Sequence, residues 1–164
     1  MDEVWREIHE FPSYEVSNHG RIRNGRTGRI LALRQNQQGI MMINFSAEGV
    51  MYTRSVALLV AEAFLPEPPS LFTSVINLDG DRTNNHANNL MWRPRWFAVQ
   101  YHRQLKRRPQ QFNSQIVLID TFEVFDHPRE AAMKYGLLER DIIMDLHNQK
   151  GVWPDHYEFR YFKE

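Results

Sequence analysis

The sequence predicts an α+β fold in which short strands come first and helices become frequent later. Residues 1–55 carry short apolar and β-branched runs separated by glycine and asparagine, a pattern typical of a small twisted sheet. Beyond residue 55, longer apolar runs bounded by proline and glycine indicate helices. With 164 residues, of which 42% are hydrophobic and 12% aromatic, the chain is large enough for one or two small units with real cores.

Five strands are expected in the first part of the chain, at residues 14–17, 20–23, 29–33, 40–45 and 51–56. Residues 56–65 are apolar around most of a helical circumference and stop before Pro66. They therefore predict a buried helix.

The second half of the chain begins with a predicted hairpin at residues 73–92 and a helix at residues 96–106. A polar, basic and proline-containing segment follows and is interpreted as a linker. Residues 116–119 and 122–125 predict a strand pair, and residues 157–162 alternate like an edge strand.

Two short helices are expected between those strands. Pro128 suits the first turn of the first helix, with Asp126 or His127 as its cap, and Gly136 suits its end. The second helix should span residues 139–148, with Ile142 and Leu146 facing inward.

The most informative stretch is residues 75–92, which read VINLDGDRTNNHANNLMW. It resembles the hairpin of HNH nucleases, which runs roughly Asp-His-x-Asp-Gly, then Asn-Asn, then Asn-Leu-x-Trp. The matching positions are structural ones: Asp79, Gly80, Asn84, Asn85, Asn89 and Trp92. In that family the asparagine of the Asn-Leu-x-Trp part ties the loop to the hairpin backbone. Asn89 is expected to have the same role.

The resemblance extends over almost the whole chain. Trp5-x-x-Ile8 and residues 11–22 resemble the modular N-terminal domain of phage HNH homing endonucleases, and residues 58–64 match the same family. The C-terminal part is similar to their helix-turn-helix module, whose second helix would enter the major groove. The resemblance implies four segments: an N-terminal β-rich DNA-binding-like domain (1–55), an HNH-like ββα core (56–105), a basic linker (106–115) and a helix-turn-helix module (116–164).

The residues that perform the chemistry in this family are replaced. The resemblance implies an aspartate that binds a divalent metal, a histidine that acts as general base, and an asparagine or histidine on the following helix. Those positions are Ile76, Asn77 and Ala98. An alkyl group offers no donor atom to a metal, and an amide does not take a proton near neutral pH. The sequence therefore predicts no catalytic residue and no cofactor.

A displaced metal site is the alternative enzyme hypothesis. Asp79, Asp81, His86 and His102 could hold Mg or Mn, with a histidine as base. However, Asp-Gly-Asp followed by Asn-Asn is also ordinary turn chemistry, since short polar side chains cap the backbone there. The turn is the favoured interpretation.

The formal net charge is zero, but the charges are unevenly distributed. Residues 20–34 and 93–108 are basic segments without an acidic residue, and DNA binding depends on such local fields. Double-stranded DNA is the expected partner. The resemblance implies that the linker segment runs along the DNA backbone or minor groove, with Arg107 and Arg108 as the candidates for that contact. The candidate DNA-binding residues are Arg21, Arg23, Arg26, Arg29, Arg95, Arg103, Lys106, Arg107, Arg108 and Arg140.

The predicted recognition helix is unusually acidic. It carries Glu139, Asp141 and Asp145 against Arg140, and Leu138 occupies its cap position. Carboxylates repel phosphates, although one can accept a hydrogen bond from cytosine N4. Either the helix recognises an unusual site or it no longer binds DNA. A separate alternative is that the acidic C-terminal helices dock on a protein such as a polymerase or a virion component.

The sequence as a whole predicts a DNA-binding, regulatory descendant of an HNH homing endonuclease that no longer cuts. A nicking endonuclease with a displaced site and a protein-interaction module are the alternatives. No apolar run approaches 18 residues, the acidic start is unlike a signal peptide, and there is no cysteine. The expected location is the cytoplasm of a phage-infected bacterium, with no membrane partner.

Overall fold

The computed structural model describes residues 2–162, and the chain divides into two compact units, Met1–Arg95 and Trp96–Glu164. Both combine small antiparallel sheets with helices, so the predicted α+β class is confirmed. Within residues 2–162, no helix is long and apolar enough to cross a membrane.

The first unit begins with two three-stranded antiparallel sheets. Strands β1 (Trp5–Ile8), β2 (Phe11–Ser17) and β3 (Ile22–Asn24) form the first sheet in that order. Strands β4 (Arg34–Gln35), β5 (Met41–Ala47) and β6 (Val50–Ser55) form the second.

The prediction of a strand at residues 29–33 is wrong. Only Ile30 bridges to Arg23, and the Leu31 N–H donates to the Ile22 carbonyl at 2.8 Å. The segment makes a single β-bridge to β3, and the next regular strand is β4, which pairs with β5. The apolar pattern of residues 29–33 arises because Leu31 and Leu33 pack against the core as partly buried side chains.

Helix α1 (Val56–Phe64) is the buried helix that the sequence predicted. It ends at Leu65, whose N–H donates to the Ala61 carbonyl at 3.0 Å, just before Pro66. The core of this unit crosses residue 55, where the sequence indicated a boundary. Side chains from both sides of that position share one cluster: Ile8, Phe11, Val16, Ile22, Ile43, Phe45, Val56, Leu59, Val60 and Leu90.

The predicted hairpin is present. Strands β7 (Ser74–Asn77) and β8 (Leu90–Arg93) pair antiparallel, and Asn77 lies opposite Leu90. A single 3-10 turn, Ala87–Asn89, leads into β8. We call residues 74–93 the HNH-like hairpin.

The second unit starts with α2 (Arg95–Lys106), close to its predicted limits. The packing groups this helix with the C-terminal residues, whereas the sequence assigned it to the same segment as the hairpin. Residues 107–115 form no helix or strand, as expected for the linker segment.

The remaining elements follow the predicted order. Strand β9 (Ile116–Leu118) is flanked by β10 (Glu123–Phe125) and by the edge strand β11 (Phe159–Tyr161). Helices α3 (Pro128–Tyr135) and α4 (Glu139–Asn148) lie between β10 and β11 in the chain.

Two local signals in this region are confirmed. His127 caps α3, because its Nδ1 accepts from the Arg129 N–H at 3.0 Å, and Gly136 ends the helix at φ +62°. Ile142 and Leu146 face the core, which they share with residues of the sheet and of α3.

Candidate functional site

The loop of the HNH-like hairpin is closed by hydrogen bonds among three side chains. The Asp79 N–H donates to Asn89 Oδ1 at 3.1 Å, and Asn89 Nδ2 returns a hydrogen bond to Asp79 Oδ1 at 2.9 Å. Asn84 Nδ2 donates to Asp79 Oδ2 at 2.7 Å, and Asn89 Nδ2 also donates to the Asn84 carbonyl at 2.8 Å. Asn89 therefore ties the loop to the hairpin backbone, as its position in the motif led us to expect.

Asn77, which occupies the general-base position of the resembled family, is a structural residue here. Its side chain is buried, and Nδ2 donates to the Asn84 carbonyl at 2.9 Å and to Asn85 Oδ1 at 3.2 Å. These two hydrogen bonds use both amide protons. The side chain joins the hairpin to its loop and offers no base.

Ile76 and Ala98 are the other two positions at which the resemblance implies metal-binding residues. Ile76 is fully buried, and Ala98 is almost fully buried on α2. Neither side chain has a lone pair, so neither can coordinate a cation. The residues at the family's catalytic positions do not fit a divalent metal.

The alternative ligands do not form a cluster in the structure. Across residues 2–162, no group of three or more His, Cys, Asp or Glu side chains is arranged to hold a metal ion. Asp79 is engaged by the loop amides, and Asp81 Oδ1 accepts from the Thr83 N–H at 2.8 Å and from its hydroxyl at 2.7 Å. The Thr83 donors hold the pKa of the Asp81 carboxyl below its usual range. This is the turn chemistry favoured from the sequence.

The His86 ring lies against the turn between β2 and β3, whereas its backbone N–H donates to Asn84 Oδ1 at 3.4 Å. Its ring lies against that of His19, with centroids 4.2 Å apart, and the Ala87 N–H donates to the Asn18 carbonyl at 2.8 Å. Gly20 approaches the same loop so closely that an added Cβ would lie 2.9 Å from Asn85 Cβ. His102 is buried on α2 in the second unit.

The N-terminal basic segment is partly neutralised. Arg21 and Arg23 form ion pairs with Glu3 and Glu15, and both guanidinium groups lie over Trp5. Local sequence could not reveal these pairs, because the acids lie 18 and 8 residues away. Arg26 and Arg29 are exposed, so they remain the stronger candidates for phosphate contact in this segment.

Five arginines of the second unit line one cavity of about 390 Å³. Arg129 joins two of its walls, because it donates to the Arg107 carbonyl at 2.6 Å and to Glu139 Oε2 at 2.6 and 2.9 Å. We call this cavity the arginine cavity. Its cationic lining residues are Arg103, Arg107, Arg108, Arg129 and Arg140.

The acidic character of α4 proves to be largely internal. Glu139 is buried against Arg129, and Asp145 is buried where its carboxylate accepts from the Gly151 N–H at 2.7 Å and the Phe159 N–H at 2.8 Å. Asp141 alone of the three is partly exposed, beside Arg140 at 3.1 Å. The surface of α4 is therefore less acidic than its sequence suggested, because two of these three carboxylates are buried.

The missing cap of α4 is supplied from α2. Gln104 Oε1 accepts from the Glu139 N–H at 2.9 Å, and its Nε2 donates to the Leu137 carbonyl at 3.0 Å. One side chain thus satisfies a backbone group at the helix start that Leu138 cannot satisfy. This contact fixes the start of α4 beside α2.

Three comparisons relate this geometry to known proteins. The model of the NUMOD4 motif matches residues 3–46. Two uncharacterized HNH endonucleases of Acanthamoeba polyphaga mimivirus are 36% identical over 88 residues and 31% identical over 94 residues. These alignments cover 54% and 55% of this chain but only 26% and 23% of the relatives, so the chain corresponds to about a quarter of their length.

A solved structure extends the likeness to both units. The HNH homing endonuclease I-HmuI, in a structure described as DNA binding and cleavage by that enzyme, aligns with a TM-score of 0.54 at 22% identity. The alignment covers 98% of this chain and 99% of that one, which establishes a common fold. The chain is therefore similar in sequence to HNH endonucleases and shares its fold with I-HmuI.

The internal role of Asp145 gives a direct test. Asp145→Asn removes one carboxylate oxygen and places an NH₂ group against a backbone N–H, which should lower the free energy of unfolding by about 1–3 kcal/mol. Urea denaturation measures this change. Asp141→Asn on the same helix is the matched control and should change the free energy by less than about 0.5 kcal/mol. Equal stability of the two variants would refute the internal role.

Proposed function

We propose that this chain binds duplex DNA, does not cleave it, and acts by occupying its site as a regulator. One observation carries the loss of cleavage: Asn77, at the position of the family's base, is buried and uses its amide to hold the hairpin loop. A residue with this role neither activates water nor reaches a phosphate.

Two observations support the proposal that the chain binds DNA: the charge of the second unit and the similarity to HNH endonucleases. The second unit presents several arginines around one cavity, and α4 has less negative charge outside than its sequence suggested. The relatives are named HNH endonucleases, and the solved relative binds and cleaves DNA. Phosphate contacts through arginine position a protein on DNA without specifying a sequence.

Loss of cleavage with retention of the fold is physically consistent. Metal-assisted hydrolysis needs a coordinated cation against the scissile phosphate and a base near neutral pH. The hairpin loop here is held by amide and carboxylate hydrogen bonds among its own side chains. Its stability therefore does not require the cation, and catalytic residues can be replaced without unfolding the loop.

The first prediction concerns cleavage. The unaltered chain should leave supercoiled plasmid and any bound target intact in the presence of magnesium or manganese, because positions 76 and 98 supply no ligand pair and position 77 supplies no base. Conversion of supercoiled to open-circular plasmid on agarose gels measures nicking. Metal-dependent nicking by the purified, unaltered chain would contradict the proposal and direct attention to His86 and His102.

Restoring the family's residues provides the positive control. The triple variant Ile76→Asp, Asn77→His, Ala98→Asn should regain metal binding and some nicking, whereas each single variant should remain inactive. A general base alone contributes about 10²–10⁴-fold to such a reaction, and it has nothing to act on without the metal.

The second prediction concerns affinity for duplex DNA. Replacing Arg107 and Arg108 together by glutamine should weaken binding to all sequences and reduce the salt dependence, by roughly 0.9 of a slope unit for each phosphate that is no longer neutralised. Fluorescence anisotropy over a salt series measures the slope. Arg21→Gln is the control, because that guanidinium is already paired with Glu3 and should change the slope less. An unchanged slope in the double variant would remove these arginines from the interface.

A further inference from the structure

Helix α2 presents one continuous stripe that continues into the residue after the helix. Trp96, Gln100, Arg103 and Arg107 follow at intervals of four, three and four residues, which places them along one face of a helix. The buried residues of α2 are Phe97, Ala98, Tyr101 and His102. We call the first group the α2 stripe.

The N-terminal end of the α2 stripe is an aromatic platform. Trp96 is 55% exposed, and the less exposed Trp153 lies beside it with ring centroids 5.6 Å apart at an angle of 42°. Phe97 is buried beside them, 5.3 Å from Trp153. Two large rings are thus held in place by a core residue while remaining accessible to solvent.

The other end of the α2 stripe is strongly basic. Arg103 and Arg107 line the arginine cavity, together with Arg108, Arg129 and Arg140. Its acidic lining residue, Glu139, is neutralised by Arg129 at 2.6 Å. From Trp96 to Arg103 the helix axis advances about 10 Å, since each residue contributes about 1.5 Å.

We propose that the α2 stripe binds a single DNA strand with unpaired bases, stacking a base on Trp96 and Trp153 and holding the adjoining phosphates on Arg103 and Arg107. A positive groove combined with exposed aromatic rings is the arrangement that proteins use for single strands. In duplex DNA the base faces are already stacked on one another, so a tryptophan gains such a contact only from unpaired bases. The arginines favour a polyanion over an apolar protein surface as the occupant.

This inference rests on the proposed function only in taking DNA as the partner. It adds that the chain recognises an unpaired strand as well as a duplex. The aromatic and basic parts of the surface make separate, measurable contributions to binding.

The test uses a fluorescently labelled oligothymidine and the full chain. Binding should quench the intrinsic tryptophan fluorescence. Trp96→Ala should weaken the affinity for oligothymidine roughly tenfold, within the range measured for loss of one stacked base. Phe122→Ala is the matched control, because it removes an aromatic ring that is 80% exposed elsewhere on the same unit. It should leave the affinity unchanged.

Two further measurements separate the contributions. Arg103→Gln should weaken oligothymidine binding and flatten its salt dependence, whereas Arg34→Gln, an exposed arginine outside the stripe, should do so less. Trp96→Ala should leave duplex affinity within about twofold of the wild type, because the ring has no unpaired base to stack on there.

The outcomes are distinguishable from those of the proposed function. If the wild-type chain binds duplex but oligothymidine causes no quenching, or if Trp96→Ala binds oligothymidine as well as the wild type, the single-strand inference is wrong. If the chain binds oligothymidine but no duplex, the proposed function fails and the single-strand inference stands.

Discussion

The hydrogen bonds that Asp79 makes with Asn84 and Asn89 hold the hairpin loop, and the arrangement of the neighbouring residues depends on them. They fix the Asn84 carbonyl, which accepts from Asn77 and Asn89, and Asn77 in turn contacts the buried Asn85. Asn85 packs against Gly20 of the NUMOD4 segment. This polar network holds the hairpin loop through hydrogen bonds among its own side chains.

Burial decides the electrostatics of the second unit. Glu139 and Asp145 contribute negative charge to the sequence of α4, but Arg129 pairs with the first and two backbone N–H groups donate to the second. A buried carboxylate is retained only with such partners, since an unpaired one would be costly. The more exposed residues of α4 include Arg140, Met144 and His147, so its acidic residues no longer argue against contact with DNA.

Local chemistry made most elements predictable, while contacts distant in sequence were missed. Pro66, Pro128 and Gly136 marked helix limits, whereas the segment at residues 29–33 had strand composition but makes only one β-bridge. Ile142 and Leu146 face inward, and helical spacing places Glu139 on the same face. The burial of Glu139 could therefore have been inferred from the sequence. The Gln104 cap and the Arg21–Glu3 pair could not be inferred from local sequence, because they join residues that are 35 and 18 positions apart.

We propose that the HNH-like hairpin folds without a metal, and thermal unfolding tests this proposal most directly. A ligand that binds the native state raises its stability, by about 2.7 kcal/mol at a concentration one hundred times its Kd. The melting temperature should therefore be the same in EDTA and in millimolar manganese at matched ionic strength. A clear rise with manganese that EDTA reverses would show a native metal site and contradict this account.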